Sequence, residues 1–327
     1  MSVRSRVIVI AVVATLALAG CAPTASTSTP HPSASAPVSL SLDNCGTTVD
    51  FSGPAPKRVI TIKSTSTEML LALGLGAKIV GSAFADGPVP PQWSTAAASI
   101  PTLASTVPSQ EVVLAKQPDM IYAGWESNFS ADGAGTRSDL QAMGINTYVS
   151  PSACQEPAYQ PKKLGFSDIF GEIGQVAAIF HVSSTKLIAS QKKQLASIKP
   201  STKKLTALWF SSGSSTPYVG AGIGAPELIM KTIGLTNIAA SVKNTWTSYN
   251  WESVIAANPD VIVLVDASWS SAQKKMNLLA SNPATADLTA VKNHRYLIVP
   301  FAASEAGVRT VNAAADLSTQ LTKLNLK

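Results

Sequence analysis

The chain is poor in the residues that most often carry chemistry. Its 327 residues include three cysteines and three histidines, and only 13% of them are charged. It has no P-loop, H-E-x-x-H, C-x-x-C or G-x-S-x-G motif. His181 and His294 have no partner by sequence that would complete a zinc site or a nucleophilic triad. We therefore predict a protein that is not an enzyme and that has no catalytic residue, metal or resident cofactor.

Long apolar runs are also scarce, and the one present lies near the N-terminus. Val7–Ala19 is thirteen residues long, which is too short for a bilayer core of about 30 Å. Two arginines precede it, a pattern typical of a secretory signal. The run ends in Leu18-Ala19-Gly20-Cys21, which resembles a bacterial lipobox. We expect residues 1–20 to be removed and Cys21 to be lipidated, with ordinary signal cleavage and a free Cys21 thiol as the alternative.

Composition divides the rest of the chain. Residues 21–42 are mainly Ser, Thr, Ala and Pro, so they cannot bury a core and are predicted to be a flexible tether. About 285 residues follow, more than one hydrophobic core usually covers, which predicts two lobes. We place the N-terminal lobe at 43–165, connecting helices at 166–200 and the C-terminal lobe at 201–327. The net charge of +6 is scattered, which disfavours nucleic acid and suits a small anion.

Two cysteines remain if Cys21 is lipidated. In an oxidising compartment, Cys45 and Cys154 are expected to form a disulfide. Two separate buried thiols are the alternative. Metal binding by two cysteines without a nearby histidine is less favoured.

Two segments of the chain resemble each other. Residues 109–122 (SQEVVLAKQPDMIY) align with residues 250–263 (NWESVIAANPDVIV) at an offset of 141. Glu111 matches Glu252, and a Pro-Asp pair recurs at the same place in both copies. Each copy is predicted to be a short helix, a turn and an apolar strand. A helix followed by a buried strand is typical of a parallel sheet, so we predict an α/β protein with two like halves.

Further elements complete both halves. Strands are predicted at 58–62, 78–84, 120–123 and 147–149 in the first half, and at 204–210, 261–265 and 296–299 in the second. Helices are predicted at 67–74, 167–180, from Ser183 or Ser184 to about Ile198, at 226–233 and at 305–324. A stiff helical connection between two lobes would limit how far they hinge.

The lipobox, the paired halves and the helical connector together resemble the periplasmic-binding proteins of cobalamin and iron-siderophore ABC importers. Residues 58–74 (RVITIKSTSTEMLLALG) resemble the first strand, loop and helix of that family, and the resemblance covers about residues 57–327. Six segments are closer still to a subgroup named for uptake of the deazaflavin coenzyme F(420)-0. They are TIKS at 61–64, FADGP at 84–88, YAGWESN at 122–128, SPSAC at 150–154, VGAGIGAP at 219–226 and VLVDASW at 263–269.

The resemblance implies a class III periplasmic-binding-protein fold, in which two Rossmann-like α/β lobes are joined by a long rigid α-helix. It also implies a monomeric, lipid-anchored, extracytoplasmic protein that delivers a small polar or anionic solute to a permease dimer with a cytoplasmic ATPase. The six segments favour a coenzyme F(420)-0 precursor as the solute. An iron-siderophore, haem or cobalamin is the alternative within the family. A lipid-anchored α/β hydrolase is a more distant alternative, for which the nucleophile elbow is missing.

Ligands bind beyond the carboxyl ends of the strands in such sheets, so the candidate binding residues follow predicted strands. Lys63, Ser64, Thr65 and Ser66 follow the first strand and open a helix, where free amides, hydroxyls and an ammonium could bind an anion. A solvated lysine and simple helix capping are the alternative. The other first-lobe candidates are Asp86, Trp125, Glu126 and Asn128.

Aromatic side chains are candidates for stacking on a flat ring. The second-lobe candidates at predicted strand ends or in loops are Trp209, Tyr218, Trp246 and Trp269. Arg309 could bind a phosphate or carboxylate bidentately. The alternatives are core or surface packing for each tryptophan and a helix-surface position for Arg309.

Glu111 and Glu252 occupy equal positions in the repeat, so they should lie on equivalent faces of the two lobes. The resemblance implies that such a pair meets arginines of the permease dimer, where charge would steer docking. Carboxylates that merely stabilise helix N-termini are the alternative.

Overall fold

The computed structural model describes residues 40–326. The predicted signal segment 1–20, the lipidation site Cys21 and nearly all of the tether lie outside these residues. The tether ends before residue 42, because Leu42 pairs with Val49 in a hairpin and packs against the main hydrophobic core. No described helix is long and apolar enough to cross a membrane.

Strands and helices alternate along the described chain. The strands are β1 (Ser41–Asn44), β2 (Thr47–Asp50), β3 (Val59–Ile62), β4 (Ile79–Ala83), β5 (Thr102–Ala104), β6 (Met120–Ala123), β7 (Asn146–Val149), β8 (Thr206–Ser212), β9 (Tyr218–Gly220), β10 (Thr236–Asn237), β11 (Trp246–Ser248), β12 (Val261–Asp266) and β13 (Tyr296–Pro300). The helices are α1 (Ser64–Ala72), α2 (Ser94–Ala97), α3 (Gln110–Leu114), α4 (Arg137–Ala142), α5 (Phe166–Ile179), α6 (Thr185–Ser197), α7 (Ala225–Thr232), α8 (Trp251–Ala257), α9 (Ala272–Ser281), α10 (Thr289–Lys292), α11 (Phe301–Ser304) and α12 (Thr310–Lys323). The predicted elements are present, and the largest shifts are the starts of α1 and α12.

The first sheet has five parallel strands in the order β5-β4-β3-β6-β7. β3 and β6 are buried along their whole length, as expected for parallel strands covered on both faces. Val59 and Met120 face the main core, whereas Ile60 and Ile121 face a separate cluster on the other side of the sheet. Alternate side chains therefore serve opposite faces of the sheet.

The second sheet is mixed. β10, β8, β12 and β13 are parallel, and β9 and β11 extend the sheet as antiparallel strands. The sequence analysis missed this antiparallel edge, because β9 and β11 have three residues each and carry no apolar run. We call the part of the chain with β3 to β7 the first lobe and the part with β8 to α12 the second lobe. The predicted α/β fold with two lobes, each built around parallel strands, is confirmed.

The internal repeat begins with matched helix caps. At the start of α3, Ser109 Oγ accepts a hydrogen bond of 3.4 Å from the backbone amide three residues later. Asn250 Oδ1 accepts from the equivalent amide at 2.6 Å, at the start of α8. Such caps satisfy donors that a helix leaves free at its N-terminus.

The aspartates of the repeated Pro-Asp pairs join each repeat to the neighbouring strand. Asp119 accepts from the amides of Lys57 and Arg58 at 2.8 and 3.0 Å, just before β3. Asp260 accepts from the amide and the hydroxyl of Thr206 at 2.8 and 2.9 Å, at the start of β8. The aspartates therefore align the starts of adjacent parallel strands in both lobes.

Two helices connect the lobes, rather than one continuous helix. α5 buries Ile169, Ile173 and Val176 along one face, which is the spacing of an amphipathic helix. The chain turns at His181, whose φ of +53° is left-handed, and α6 begins at Thr185. A helix cannot continue through a left-handed residue, so the connection bends there.

Cys45 and Cys154 form the predicted disulfide. It joins the β1–β2 hairpin to the segment after β7, and buried polar contacts join the same parts. Asn44 Nδ2 donates to the carbonyl of Val149 at 2.9 Å, and its Oδ1 accepts from the Val149 amide at 2.8 Å. The Arg137 guanidinium donates to the Asn44 carbonyl at 2.6 Å. The bridge therefore anchors a loop that reaches the cleft between the lobes.

Candidate functional site

The segments that follow the strands of the two sheets meet in a cleft, and a buried ion pair lies there. Lys63 donates to Asp86, and both side chains are at most 1% exposed. Lys63 follows β3 with a φ of +80°. That conformation is uncommon for a residue with a side chain and often marks a functional site.

Asp86 occupies the anion-binding position predicted at the start of α1. Its Oδ2 accepts from the Ser64 amide at 3.1 Å, and its amide donates to Ser64 Oγ at 2.9 Å. Burial raises the pKa of Asp86, while the Lys63 ammonium opposes that rise. We expected Lys63 and Ser64 to bind an anion of the ligand, but in this structure they bind a carboxylate of the protein.

Three aromatic rings surround the Lys63 ammonium. Nζ lies 3.7 Å from the ring centroid of Trp125, 4.2 Å from that of Phe84 and 5.2 Å from that of Phe301. Ring faces attract a desolvated cation. Phe301 belongs to the second lobe, so this cage spans the cleft.

Two hydrogen-bonded pairs also cross the cleft. Trp125 Nε1 donates to Glu305 Oε1 at 2.7 Å, and Arg309 Nη1 donates to Glu68 Oε1 at 3.3 Å. Burial raises the pKa of Glu305 to about 8, with the Lys63 ammonium opposing. Burial raises the pKa of Glu68 to about 7, with Arg309 opposing. Arg309 was expected to bind a ligand anion, and here it is paired with a first-lobe carboxyl group.

A cavity of about 320 Å³, which we call the first cavity, lies between the lobes. This volume is at the low end of the range for small-molecule sites. Trp125, Tyr218 and Trp246 line it, together with hydroxyl, amide and carboxyl groups. Among the described residues that line it, none is a lysine or an arginine.

A second cavity, of about 550 Å³, is formed by the segments after β4, β12 and β13. Asp86, Asp266 and Arg309 line it, beside the proline-rich segment 88–91. Asp86 and Arg309 are already paired within the protein, and Asp266 accepts from the amide of Ala272 at 2.7 Å. Within residues 40–326, no group of three or more His, Cys, Asp or Glu side chains is placed to hold a metal ion.

The three second-lobe tryptophans that were predicted to bind ligand lie in different parts of the structure. Trp246 lines the first cavity and stacks on Phe301 at a centroid distance of 6.3 Å. Trp269 is 51% exposed and contacts Phe301 edge-on at 4.8 Å, outside the described lining of the first cavity. Trp209 was predicted at a strand end, which is wrong: β8 continues to Ser212, and the Trp209 ring is fully buried in the main core.

The remaining candidates divide into lining and supporting residues. Thr65 and Glu126 line the first cavity. Ser66 Oγ donates to the carbonyl four residues before it at 2.8 Å. Asn128 Oδ1 accepts from the Trp125 amide at 3.3 Å. Ser66 and Asn128 therefore support the backbone of the loops that carry Thr65 and Trp125.

Sequence reasoning missed Glu305 as a site residue, because it placed this residue on a terminal helix. The backbone at Glu305 is extended, with φ −95° and ψ 156°, and α12 begins five residues later. The carboxyl group therefore enters the cleft and meets Trp125. Gly307, two residues on, is a local signal that the helix begins later than predicted.

A cleft between two α/β lobes, lined by residues near the strand ends of both, is typical of two-lobed solute-binding proteins. A family model described as "Periplasmic binding protein" matches residues 59–303. The chain belongs to the periplasmic binding protein family, as the sequence analysis expected.

Individual relatives agree with this assignment. The uncharacterized ABC transporter substrate-binding lipoprotein YvrC of Bacillus subtilis (strain 168) is 24% identical over 275 residues, covering 81% of this chain and 80% of the relative. A periplasmic binding protein from Veillonella parvula DSM 2008 superposes with a TM-score of 0.77 at 27% identity, covering 87% of this chain and 97% of that chain. A structure described as an ABC-type Fe3+-hydroxamate transport system, from Saccharomonospora viridis DSM 43017, superposes with a TM-score of 0.73 at 25% identity. The match covers 86% of this chain and 99% of that chain.

Proposed function

We propose that the chain is the solute-binding lipoprotein of an ABC importer. It captures a small solute in the first cavity and delivers it to a permease dimer that a cytoplasmic ATPase drives. The observation that carries the proposal is this cavity at the strand ends of both lobes. Family membership and the similarity to YvrC support it. Lipidation of Cys21 would hold the protein, as a monomer, on the outer face of the cell membrane.

The solute that we propose is a deazaflavin, such as a coenzyme F(420)-0 precursor. The segments that resemble that subgroup supply Trp125 and Glu126 to the first cavity, and Trp246 and Tyr218 add further ring faces. Each stacked aromatic pair contributes about 0.5–1.5 kcal/mol beyond burial. A volume of about 320 Å³ suits a compact flat ring better than a corrinoid.

An iron-siderophore is the second candidate, with haem or cobalamin as further members of this group. The 25% identity to the Fe3+-hydroxamate transport protein favours a ferric hydroxamate. Three aromatic side chains line the first cavity, so we rank a flat organic ring ahead of a ferric hydroxamate as the solute.

Tryptophan fluorescence can rank these solutes. Purified protein is titrated with a hydroxydeazaflavin, a ferric hydroxamate and cobalamin, and we expect saturable quenching by the deazaflavin and little change with the others. Trp246→Phe should remove much of the quenching because Trp246 lines the first cavity, whereas Trp269→Phe should preserve it. Tight, saturable binding of the ferric hydroxamate would reverse the ranking, and binding of none of the three would contradict the proposed site.

We also propose that Glu111 and Glu252 dock the protein on its permease. Both side chains are exposed and lie in the first turns of α3 and α8, which are capped in the same way. Two equivalent carboxylates on the two lobes would match basic residues on a symmetric permease dimer.

Charge reversal separates docking from solute binding. The double variant Glu111→Lys with Glu252→Lys should abolish uptake by cells and leave solute affinity within about twofold, since rim charges govern association with a partner and neither residue lines a described cavity. Asp316→Lys, on an exposed position of α12, is the matched control and should transport normally. Normal uptake by the double variant would show that docking does not need this pair.

A further inference from the structure

Two residues that line the first cavity each have a buried oxygen with no hydrogen-bond partner within the described chain. These oxygens are Thr65 Oγ1 and Glu305 Oε2. The two residues are only 6% and 8% exposed. Buried polar atoms are nearly always paired, so orphan atoms beside a cavity indicate groups that a bound molecule completes.

The Glu305 carboxyl group makes no direct ion pair with a described residue. Its Oε1 accepts from Trp125 Nε1, the Lys63 ammonium is bound to Asp86, and no described residue that lines the cavity is a lysine or an arginine. An unpaired buried carboxylate is strongly disfavoured, and burial raises the pKa of Glu305 to about 8. At pH 7 the group is therefore mainly neutral. Because Oε1 accepts a hydrogen bond from Trp125 Nε1, we assign the acid proton to Oε2, the oxygen without a partner.

Close packing holds the Thr65 side chain in place. A Cβ built on Gly124 would lie 2.3 Å from Thr65 Oγ1, so a larger residue at that position would displace the hydroxyl. Gly307, in the second lobe, also lies near Thr65, since a Cβ at that position would be 3.7 Å from Thr65 Cγ2. The hydroxyl is thus a positioned group whose one O–H is free to donate to a molecule in the cavity.

We propose that Thr65 Oγ1 and Glu305 Oε2 form a two-donor subsite that binds an oxygen acceptor on the solute, a ring carbonyl or an ionised ring hydroxyl. The inference rests on the proposed function, because it concerns the same cavity. The subsite supplies hydrogen-bond donors for an anion. Lys63 and Arg309 do not supply them in this structure, because both are paired within the protein. A neutral acid that donates to an oxyanion avoids placing a second buried charge beside the ligand.

Other titratable groups lie near Glu305. Lys63 lowers and Asp86 raises its pKa. Glu126 lines the same cavity and accepts from the Gln155 amide at 2.5 Å, and burial raises the pKa of Tyr218 above its usual 10. Glu68, with a pKa of about 7, pairs with Arg309 across the cleft. All of these groups remain in a Glu305→Gln variant, so that variant isolates the titration of Glu305.

The probe is a hydroxydeazaflavin whose ionisation is constant between pH 7 and pH 9. With a pKa of about 8, wild-type affinity should fall about tenfold over this interval as the donor is lost. Glu305→Gln keeps a donor at every pH, so its affinity should stay within about threefold of the pH 7 wild type and not change with pH. Glu305→Ala should bind about tenfold more weakly at pH 7, Thr65→Val about fivefold more weakly, and Thr65→Ser normally.

Several outcomes would overturn the subsite. They are a flat pH profile for the wild type, a Glu305→Gln variant as weak as Glu305→Ala, or unaltered binding by Glu305→Ala with a native melting temperature. A measurement without ligand gives an independent answer. The infrared difference spectrum between wild type and Glu305→Gln at pH 7 should contain a carboxylic-acid band that loses about nine-tenths of its intensity by pH 9. Its absence overturns the subsite whatever binds. If the band is present but none of the solute probes binds, the proposed function fails separately.

Discussion

At the scale of single residues, the Asp86 carboxylate compensates the buried ammonium charge of Lys63. Both side chains are at most 1% exposed, and Asp86 also accepts from the amide of Ser64. When one partner of a buried ion pair is removed, the other charge is left without compensation.

Lys63→Met should therefore lower the free energy of unfolding by about 3–5 kcal/mol. Adding Asp86→Asn should recover much of that loss, because asparagine removes the charge and keeps an oxygen for the Ser64 amide. Urea unfolding of the wild type, both single variants and the double variant gives the coupling energy. Losses that simply add in the double variant would show that the two charges do not stabilise each other.

At the scale of elements, the repeated helix, turn and strand gives each lobe the same construction. Asp119 and Asp260 each bond to the chain at the start of the adjacent central strand, β3 or β8. The repeat is therefore explained by strand alignment, while the exposed Glu111 and Glu252 within it are left free for a surface role.

Asp260→Ala should lower the free energy of unfolding by about 1–3 kcal/mol, because the Thr206 amide loses its acceptor. Asp119→Ala removes the acceptor for two amides, so its loss in free energy of unfolding should lie in the same range. Urea denaturation measures both, with the exposed Asp316→Ala as the control, expected within about 0.5 kcal/mol of wild type. Losses no larger than that control would mean that the aspartates do not secure the strands.

At the scale of the whole molecule, the Cys45–Cys154 bond closes a long loop. The two residues are 109 positions apart, and the loop includes the strands of the first sheet. Cys154 also lines the first cavity. The bridge therefore constrains the unfolded chain and one wall of the candidate site together.

Cys45→Ser with Cys154→Ser should lower the free energy of unfolding by about 3–5 kcal/mol, because the unfolded chain gains the freedom of the opened loop. It should also weaken solute binding by loosening the segment after β7. Urea unfolding and fluorescence titration of the oxidised wild type and the variant measure the two effects. A variant as stable as the wild type would mean that the bridge contributes little beyond the Asn44 and Arg137 contacts.

Part of the candidate site was predictable and part was not. Thr65, Trp125, Glu126, Tyr218 and Trp246 were predicted at strand ends or in loops, and the structure brings them to one cavity. Lys63, Asp86 and Arg309 lie at the cleft, but the sequence did not show that each is paired with another residue of the protein. Trp209 and Glu305 were misplaced, because the end of β8 and the start of α12 depend on packing that their local sequences do not show.

The sequence by itself determined the two like α/β halves, the connecting helices and the family. These features follow from apolar spacing and from contacts between residues a few positions apart. Only the tertiary structure decided which polar and charged groups pair with each other. Lys63 and Asp86 are 23 positions apart, Trp125 and Glu305 are 180 apart, and Arg309 and Glu68 are 241 apart. Burial and pairing of such groups depend on how the lobes meet, because desolvation is set by the whole surrounding structure and not by neighbours along the chain.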